Sequence, residues 1–258
     1  MSNMRVADAM ASFLEKAGVE YAFGFNGHGN WAILDAITHK TQIQDIITRR
    51  EDQAVHMADG YWRAKRKGVP ALAVTTVGPG NMNIPSGLAN AFYDSMALLV
   101  IAGGGPTQWY GTGSLEECYR FRPEGWTDVV RPICKAAWTV ERPDTAIEML
   151  ARALKLTISG RPGPVVLQVP FDIQHEIIPV EKMDPAMWIL NITNRPRPDK
   201  EAVEKAADII RQSKKPLVLA GGGVLNAGGC VELQKFVEKY NLPLITSFMG
   251  KGAIPENH

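Results

Sequence analysis

Apolar positions along this chain alternate between two kinds of pattern. Short apolar runs at residues 21–25, 43–48, 71–77, 96–102 and 164–169 predict strands. Between them lie stretches in which apolar residues recur every three or four positions. Residues 6–17 set Ala7, Met10, Phe13, Leu14 and Ala17 on one face, and Gly18 ends the predicted helix. Further helices are predicted at 31–38, 51–65, 85–94 and 144–159. Pro85 suits a first turn and Asp144 is the expected cap. Alternating strands and helices predict an α/β fold with a doubly wound parallel sheet, over residues 1–180. The run 96–102 holds no polar residue, which fits a central strand covered on both faces.

The pattern breaks at residues 181–199. Pro185, Pro196 and Pro198 stand there among polar residues, as in an inter-domain linker. A second α/β pattern occupies 200–258, with helices predicted at 201–212 and 228–240 and strands at 216–220 and 242–248. Two strands and two helices cannot cover both faces of a parallel sheet, and a unit of about 60 residues is marginal alone. This second domain is therefore expected to be a truncated start, or to be completed by a partner.

Composition removes several function classes. A net charge of +1 gives no electrostatic case for nucleic acid or an anionic membrane surface. No apolar run reaches the roughly 20 residues of a spanning helix, and Met1-Ser2-Asn3-Met4-Arg5 has no signal-peptide character. The scattered Cys118, Cys134 and Cys230 read as buried or idle thiols of a cytoplasmic protein. His39, His56 and His175 lack metal-ligand spacing, so no metal ligand is assigned. Gly221-Gly222-Gly223 follows a predicted strand, but Asn226 stands where a dinucleotide fingerprint needs its third glycine.

Three segments carry candidate chemistry. Glu51 opens a helix directly after a strand. It reads either as an acid stabilising the helix dipole, which Asp52 would serve equally, or as a carboxyl walled by Ile46, Ile47, Ala54 and Val55. Such a wall disfavours the charged form and equips the group to share a proton. Gly78-Pro79-Gly80-Asn81-Met82-Asn83 reads either as an ordinary turn or as a place where a flat ring approaches backbone at the carboxyl end of a parallel strand. The loop Gly24-Phe25-Asn26-Gly27-His28-Gly29-Asn30 presents His28, which either shapes the loop or moves a proton near neutral pH.

The Glu51 segment, the Gly78 to Asn83 string with its continuation Ser86-Gly87-Leu88-Ala89-Asn90-Ala91 and Asp94-Ser95, and Arg131-Pro132-Ile133-Cys134-Lys135 together resemble thiamin-diphosphate enzymes of the acetolactate synthase and decarboxylase superfamily. The resemblance covers nearly the whole chain: a pyrimidine-binding domain, then the start of a central domain. It implies that Glu51 hydrogen-bonds the aminopyrimidine and drives formation of the cofactor's ylid. It places Asn26, Gly27, Gly78, Pro79, Gly80 and Asn83 against the cofactor. It implies a 2-keto acid or 1,2-diketone substrate, carboligation or decarboxylation, and a homodimer or tetramer. Mg2+ is expected through a diphosphate-binding domain, whose Gly-Asp-Gly…Asn motif is absent here and expected on the same gene product or a neighbour. FAD accompanies some members.

Five positions depart from the family pattern, one of them Leu115, which stands where a phenylalanine is usual. Arg50 replaces a histidine or asparagine, and Asp52 a glutamine. Gly104 and Glu116 replace substrate-side residues and are the candidate substrate positions. The Gly-His-Gly-Asn loop is similar to hydrolases of cyclic 1,2-diketones, which makes carbon–carbon hydrolysis the alternative reaction. A non-catalytic truncated or regulatory subunit is the alternative of another class.

Overall fold

The computed structural model describes residues 2–113, 125–180 and 197–258. The chain divides into two compact units, Met1–Ile192 and Thr193–His258. Most of the expected linker, residues 181–196, lies outside the described residues.

The first unit opens with β1 (Ser2–Arg5) and α1 (Val6–Lys16), followed by β2 (Tyr21–Gly24), α2 (Trp31–Lys40), β3 (Gln44–Ile47) and α3 (Glu51–Lys65). Then come β4 (Leu72–Thr75), α4 (Pro79–Met82), α5 (Pro85–Tyr93), β5 (Leu98–Gly104) and α6 (Trp126–Val130). β6 (Ala136–Thr139), α7 (Ala146–Ile158), β7 (Pro164–Pro170), α8 (Phe171–His175) and β8 (Ile177–Val180) complete it. Six strands form one parallel sheet in the order β3-β2-β4-β5-β7-β6, the doubly wound fold that the pattern predicts.

Alternation along the strands divides the core. Leu72, Val74, Leu99, Ile101, Val165 and Leu167 join the buried stripes of α1, α2 and α7. The intervening residues Ala73, Leu98 and Val100, equally buried, face the side covered by α3 and α5. All seven residues of β5 and of β7 are buried, as a strand covered on both faces requires. Burying each Leu, Ile or Val there contributes about 1.5–3 kcal/mol. β1 and β8 pair antiparallel beside this sheet, Met4 opposite Ile178.

The sheet order fixes where a site can form. From β2 the chain moves outward to β3, then returns past β2 to β4. The connections from β2 and β4 thus leave in opposite directions, and a crevice opens beyond their carboxyl ends.

Two details differ from the sequence reading. Asp144 does not cap α7. Thr145 holds the cap position but its hydroxyl donates to the Arg142 carbonyl at 2.9 Å rather than capping the helix, and Asp144 instead pairs with Arg142 at 2.5 Å. Ile47 is 75% exposed on the edge strand β3, so it walls nothing in.

The second unit pairs β9 (Val218–Ala220) with β10 (Leu244–Thr246) in parallel. Helices Lys200–Gln212, Gly222–Ala227 and Cys230–Tyr240 accompany them. Asp199 caps the first, accepting from the Ala202 N–H at 2.9 Å. Leu217, Leu219, Ile245 and Phe248 are exposed here.

Candidate active site

The site grows from three chain turns at the sheet's carboxyl edge. After β3, Thr48 donates to the Gly24 carbonyl at 3.1 Å and turns the chain at the end of β2. Arg50 takes extended backbone angles, and α3 begins at Glu51. Glu51 is only 6% exposed, although it is a carboxylate. Its Oε2 accepts from the Asn83 amide at 2.9 Å. Ala54 and Val55, one turn on, are fully buried. Asp52 faces away, paired with Arg50 at 3.1 Å, so it is not a second carboxylate against Glu51.

After β4 comes the glycine turn. Gly78 holds φ 57°, ψ −117°, a conformation for which glycine is suited. α4 then brings Gly80 beneath the carboxylate. A Cβ on Gly80 would lie 2.6 Å from Glu51 Oε1 and overlap the Thr76 methyl. Pro79 is exposed, and Gly78 and Gly80 are buried.

Asn81 anchors this turn, and the sequence reading missed it. It is fully buried, accepts from the Thr75 hydroxyl at 2.7 Å and donates to the Gly103 carbonyl at 2.8 Å. It ties the ends of β4 and β5 together. Its only sequence signal is a polar residue inside a glycine turn that follows an apolar strand.

After β2, the loop of Gly27 and His28 folds onto the β4 turn. Gly29 N–H donates to Thr76 Oγ1 at 3.2 Å. A Cβ on Gly27 would lie 2.7 Å from Thr76 Cβ, and one on Gly29 would lie 2.8 Å from Val77 Cβ. Only bare backbone fits in these contacts. Asn30, 1% exposed, closes the loop by accepting from Gly27 N–H and donating to the Phe25 carbonyl, both at 2.9 Å. Asn26 is exposed on the same loop.

The His28 ring stacks on Phe171 at 5.1 Å and 13°, with Trp31 edge-on at 5.6 Å. Its Nε2 is buried and has no hydrogen-bond partner among the described residues. Gly104 is buried at the end of β5, where a Cβ would lie 2.9 Å from Gln168 Nε2 and 3.2 Å from Pro170 Cα. Glu116 lies outside the described residues.

These positions fit the pyrimidine half of thiamin diphosphate. A buried carboxylate has one oxygen held by Asn83 and the other beside the space that Gly80 leaves. Such a group can bond a ring nitrogen. Among the described residues no three His, Cys, Asp or Glu side chains are grouped to hold a metal.

Two motif residues serve the fold. Lys135 donates to the carbonyls of Leu156 and Ser159 at 2.6 and 2.7 Å, closing the end of α7, and burial pushes its pKa down. Cys134 is buried, which pushes its thiol up to about 11 and leaves it unreactive at neutral pH. Cys230 is a free half-buried thiol, and Cys118 lies outside the described residues.

Residues 4–122 match the family model for the thiamine pyrophosphate enzyme N-terminal TPP-binding domain, and residues 203–258 match that for the central domain. The chain is 33% identical over 257 residues to a probable acetolactate synthase large subunit of Methanocaldococcus jannaschii, covering 99% of this chain and 42% of that one. It is 34% identical over 263 residues to the acetolactate synthase isozyme 3 large subunit of Escherichia coli K12, covering 100% and 44%. Against the chloroplastic acetolactate synthase of Arabidopsis thaliana it is 34% identical over 251 residues, covering 96% and 36%. The chain thus spans less than half the length of these curated relatives. The two matched domains and these relatives agree with the doubly wound fold: the chain belongs to the thiamine pyrophosphate enzyme family.

Proposed function

We propose that this chain forms the pyrimidine-side wall of a thiamin-diphosphate site in an acetolactate synthase-like enzyme acting on 2-keto acids. The observation that carries the reading is Glu51, a buried carboxylate at a sheet switch point, gripped through one oxygen by Asn83 and faced by a glycine. When bound, thiamin diphosphate supplies the carbon nucleophile and electron sink for bond cleavage or formation beside a carbonyl. Glu51 holds or returns a proton at a ring nitrogen. Asn83 fixes its orientation, and Gly80 leaves the ring room to approach. Gly78 and Pro79 shape that turn, while Asn26 and Gly27 lie on the adjoining loop. Magnesium is expected through a diphosphate-binding domain beyond these residues, and FAD is a further candidate cofactor of the whole enzyme. A second copy of the chain is the expected partner, in a homodimer or tetramer.

His28 supports a second reading, hydrolytic opening of a cyclic 1,2-diketone. Its ring contacts both Phe171 and Trp31, with Nε2 buried and unpartnered among the described residues, so it can deliver a proton or orient a water. Gly104 leaves no room for a side chain without displacing Gln168. Among the described residues no helix is long and apolar enough to cross a membrane.

Turnover of pyruvate and of cyclohexane-1,2-dione by the native enzyme, with and without added thiamin diphosphate, tests both readings. Cofactor-dependent loss of pyruvate supports the first, and cofactor-dependent ring opening supports the second. Neither activity, together with no calorimetric binding of the cofactor, would mark a non-catalytic subunit.

A further inference from the structure

The geometry points to Phe171 and Gln174 of α8 as positioning residues for His28, in the proposed reaction on which this role rests. α8 starts at Phe171, directly after Pro170 ends the central strand β7, so it stands at the sheet edge that carries the site. Two of its five side chains reach the His28 loop.

Gln174 is fully buried and spends both amide protons on backbone. Its Nε2 donates to the Gly29 carbonyl at 2.6 Å and to the Val169 carbonyl at 2.8 Å. Its Oε1 is buried without a partner among the described residues. A leucine of similar size would fill the space without that unmet oxygen, so packing alone does not account for the amide. What the amide adds is a fixed Gly29 carbonyl, next in sequence to His28. That carbonyl also lies against the end of β5, since a Cβ on Gly103 would overlap it.

Phe171 acts on the ring itself. It lies nearly parallel to the imidazole, at 5.1 Å and 13°, while Trp31 makes a T-shaped contact at 5.6 Å and 69°. A flat stack against one ring and an edge contact with a second restrain the ring plane, and with it the direction in which Nε2 points. α8 is itself anchored on its far side. Asp172 accepts from the Thr107 N–H at 3.1 Å and from the Thr107 hydroxyl, in the segment that follows β5. The helix therefore bridges the ends of β5 and β7 and holds the β2 loop between them.

The test combines a readout that needs no turnover with one that does. In the chain labelled at histidine, the Phe171 ring current displaces the His28 ring proton signals. Phe171→Leu should return them toward free-histidine positions, and Phe171→Tyr should leave them displaced. In the native enzyme, Phe171→Leu and Gln174→Leu should each lower kcat by about tenfold or more with little change in KM, because a misaimed group reacts slowly while the substrate still binds. Phe171→Tyr should restore kcat. A His28 signal that does not move in Phe171→Leu overturns the proposal, as does a kcat that stays native when the signal has moved. If the unmodified enzyme shows no thiamin-diphosphate-dependent turnover, the functional reading fails, and with it the catalytic part of this role. The ring signal then shows separately whether Phe171 holds His28.

Discussion

Replacing Asn81 by alanine should be among the most damaging single changes at the site, although Asn81 is not expected to touch cofactor or substrate. Its side chain is fully buried and joins Thr75 to Gly103 through bonds of 2.7 and 2.8 Å. Asn81→Ala leaves the Thr75 hydroxyl and the Gly103 carbonyl without those partners, each costing about 1–3 kcal/mol when buried. Partial relaxation lowers that sum and a small void raises it, for a total of about 3–5 kcal/mol. In a unit of this size each kcal/mol lowers Tm by roughly 2–4 °C, so Tm should fall by roughly 6–20 °C. Urea unfolding followed by circular dichroism measures the loss, with an unchanged slope showing that the denatured state is the same. Thr75→Val provides the control. In that background Asn81→Ala should cost less, with a coupling of about 0.5–3 kcal/mol. A loss below about 1 kcal/mol, or full additivity with Thr75→Val, would refute the clamp.

Two further outcomes follow from the geometry. Gly80→Ala puts a methyl 2.6 Å from Glu51 Oε1, so cofactor binding measured by calorimetry on the native enzyme should weaken at least tenfold while the fold is kept. Asp8 shows burial that would raise its pKa, overcome by hydrogen bonds from Lys40 and Arg5 that hold it below its ordinary value of 3.8. Its folded pKa being the lower one, its stabilising contribution is full above the unfolded value and is lost as pH falls through the folded one. Asp8→Asn should thus cost about 1 kcal/mol at pH 7. That difference should vanish in urea titrations taken well below pH 3.8.

The strands that form the centre of the sheet were legible because burial on both faces demands unbroken apolar runs. β5 and β7 lie within two residues of their predicted spans. β6 was not legible. It is an edge strand of four residues, Ala136–Thr139, with only Ala137 buried, so it carries no run and no clear alternation. β1 and β8 pair only with each other, and Arg5 and Pro179 within them speak against strands locally. The helix Gly222–Ala227 hides in a glycine run that reads as a turn. At the site, Glu51 and the glycine turn could be read from strand-to-helix junctions, since the sheet's carboxyl edge is where such junctions cluster. Ile47 was misplaced because an apolar residue on an edge strand has two faces to choose from, and sequence alone does not say which is covered. Asn30, Asn81 and Gln174 were not legible as anchors. A buried amide looks like a surface amide until the backbone groups it serves are known.

The central claim is that Glu51 serves the cofactor rather than the helix. The most direct measurement is exchange of the thiazolium C2 proton for deuterium in enzyme-bound thiamin diphosphate, compared between the native enzyme and Glu51→Gln. An amide of the same size keeps the Asn83 contact and the packing but cannot share the proton. The account predicts exchange slowed by about a hundredfold or more, on the scale of a lost general acid–base group, in a variant with native circular dichroism. Exchange at the native rate in a folded, cofactor-loaded Glu51→Gln enzyme would contradict it and return Glu51 to the role of a helix-terminal acid.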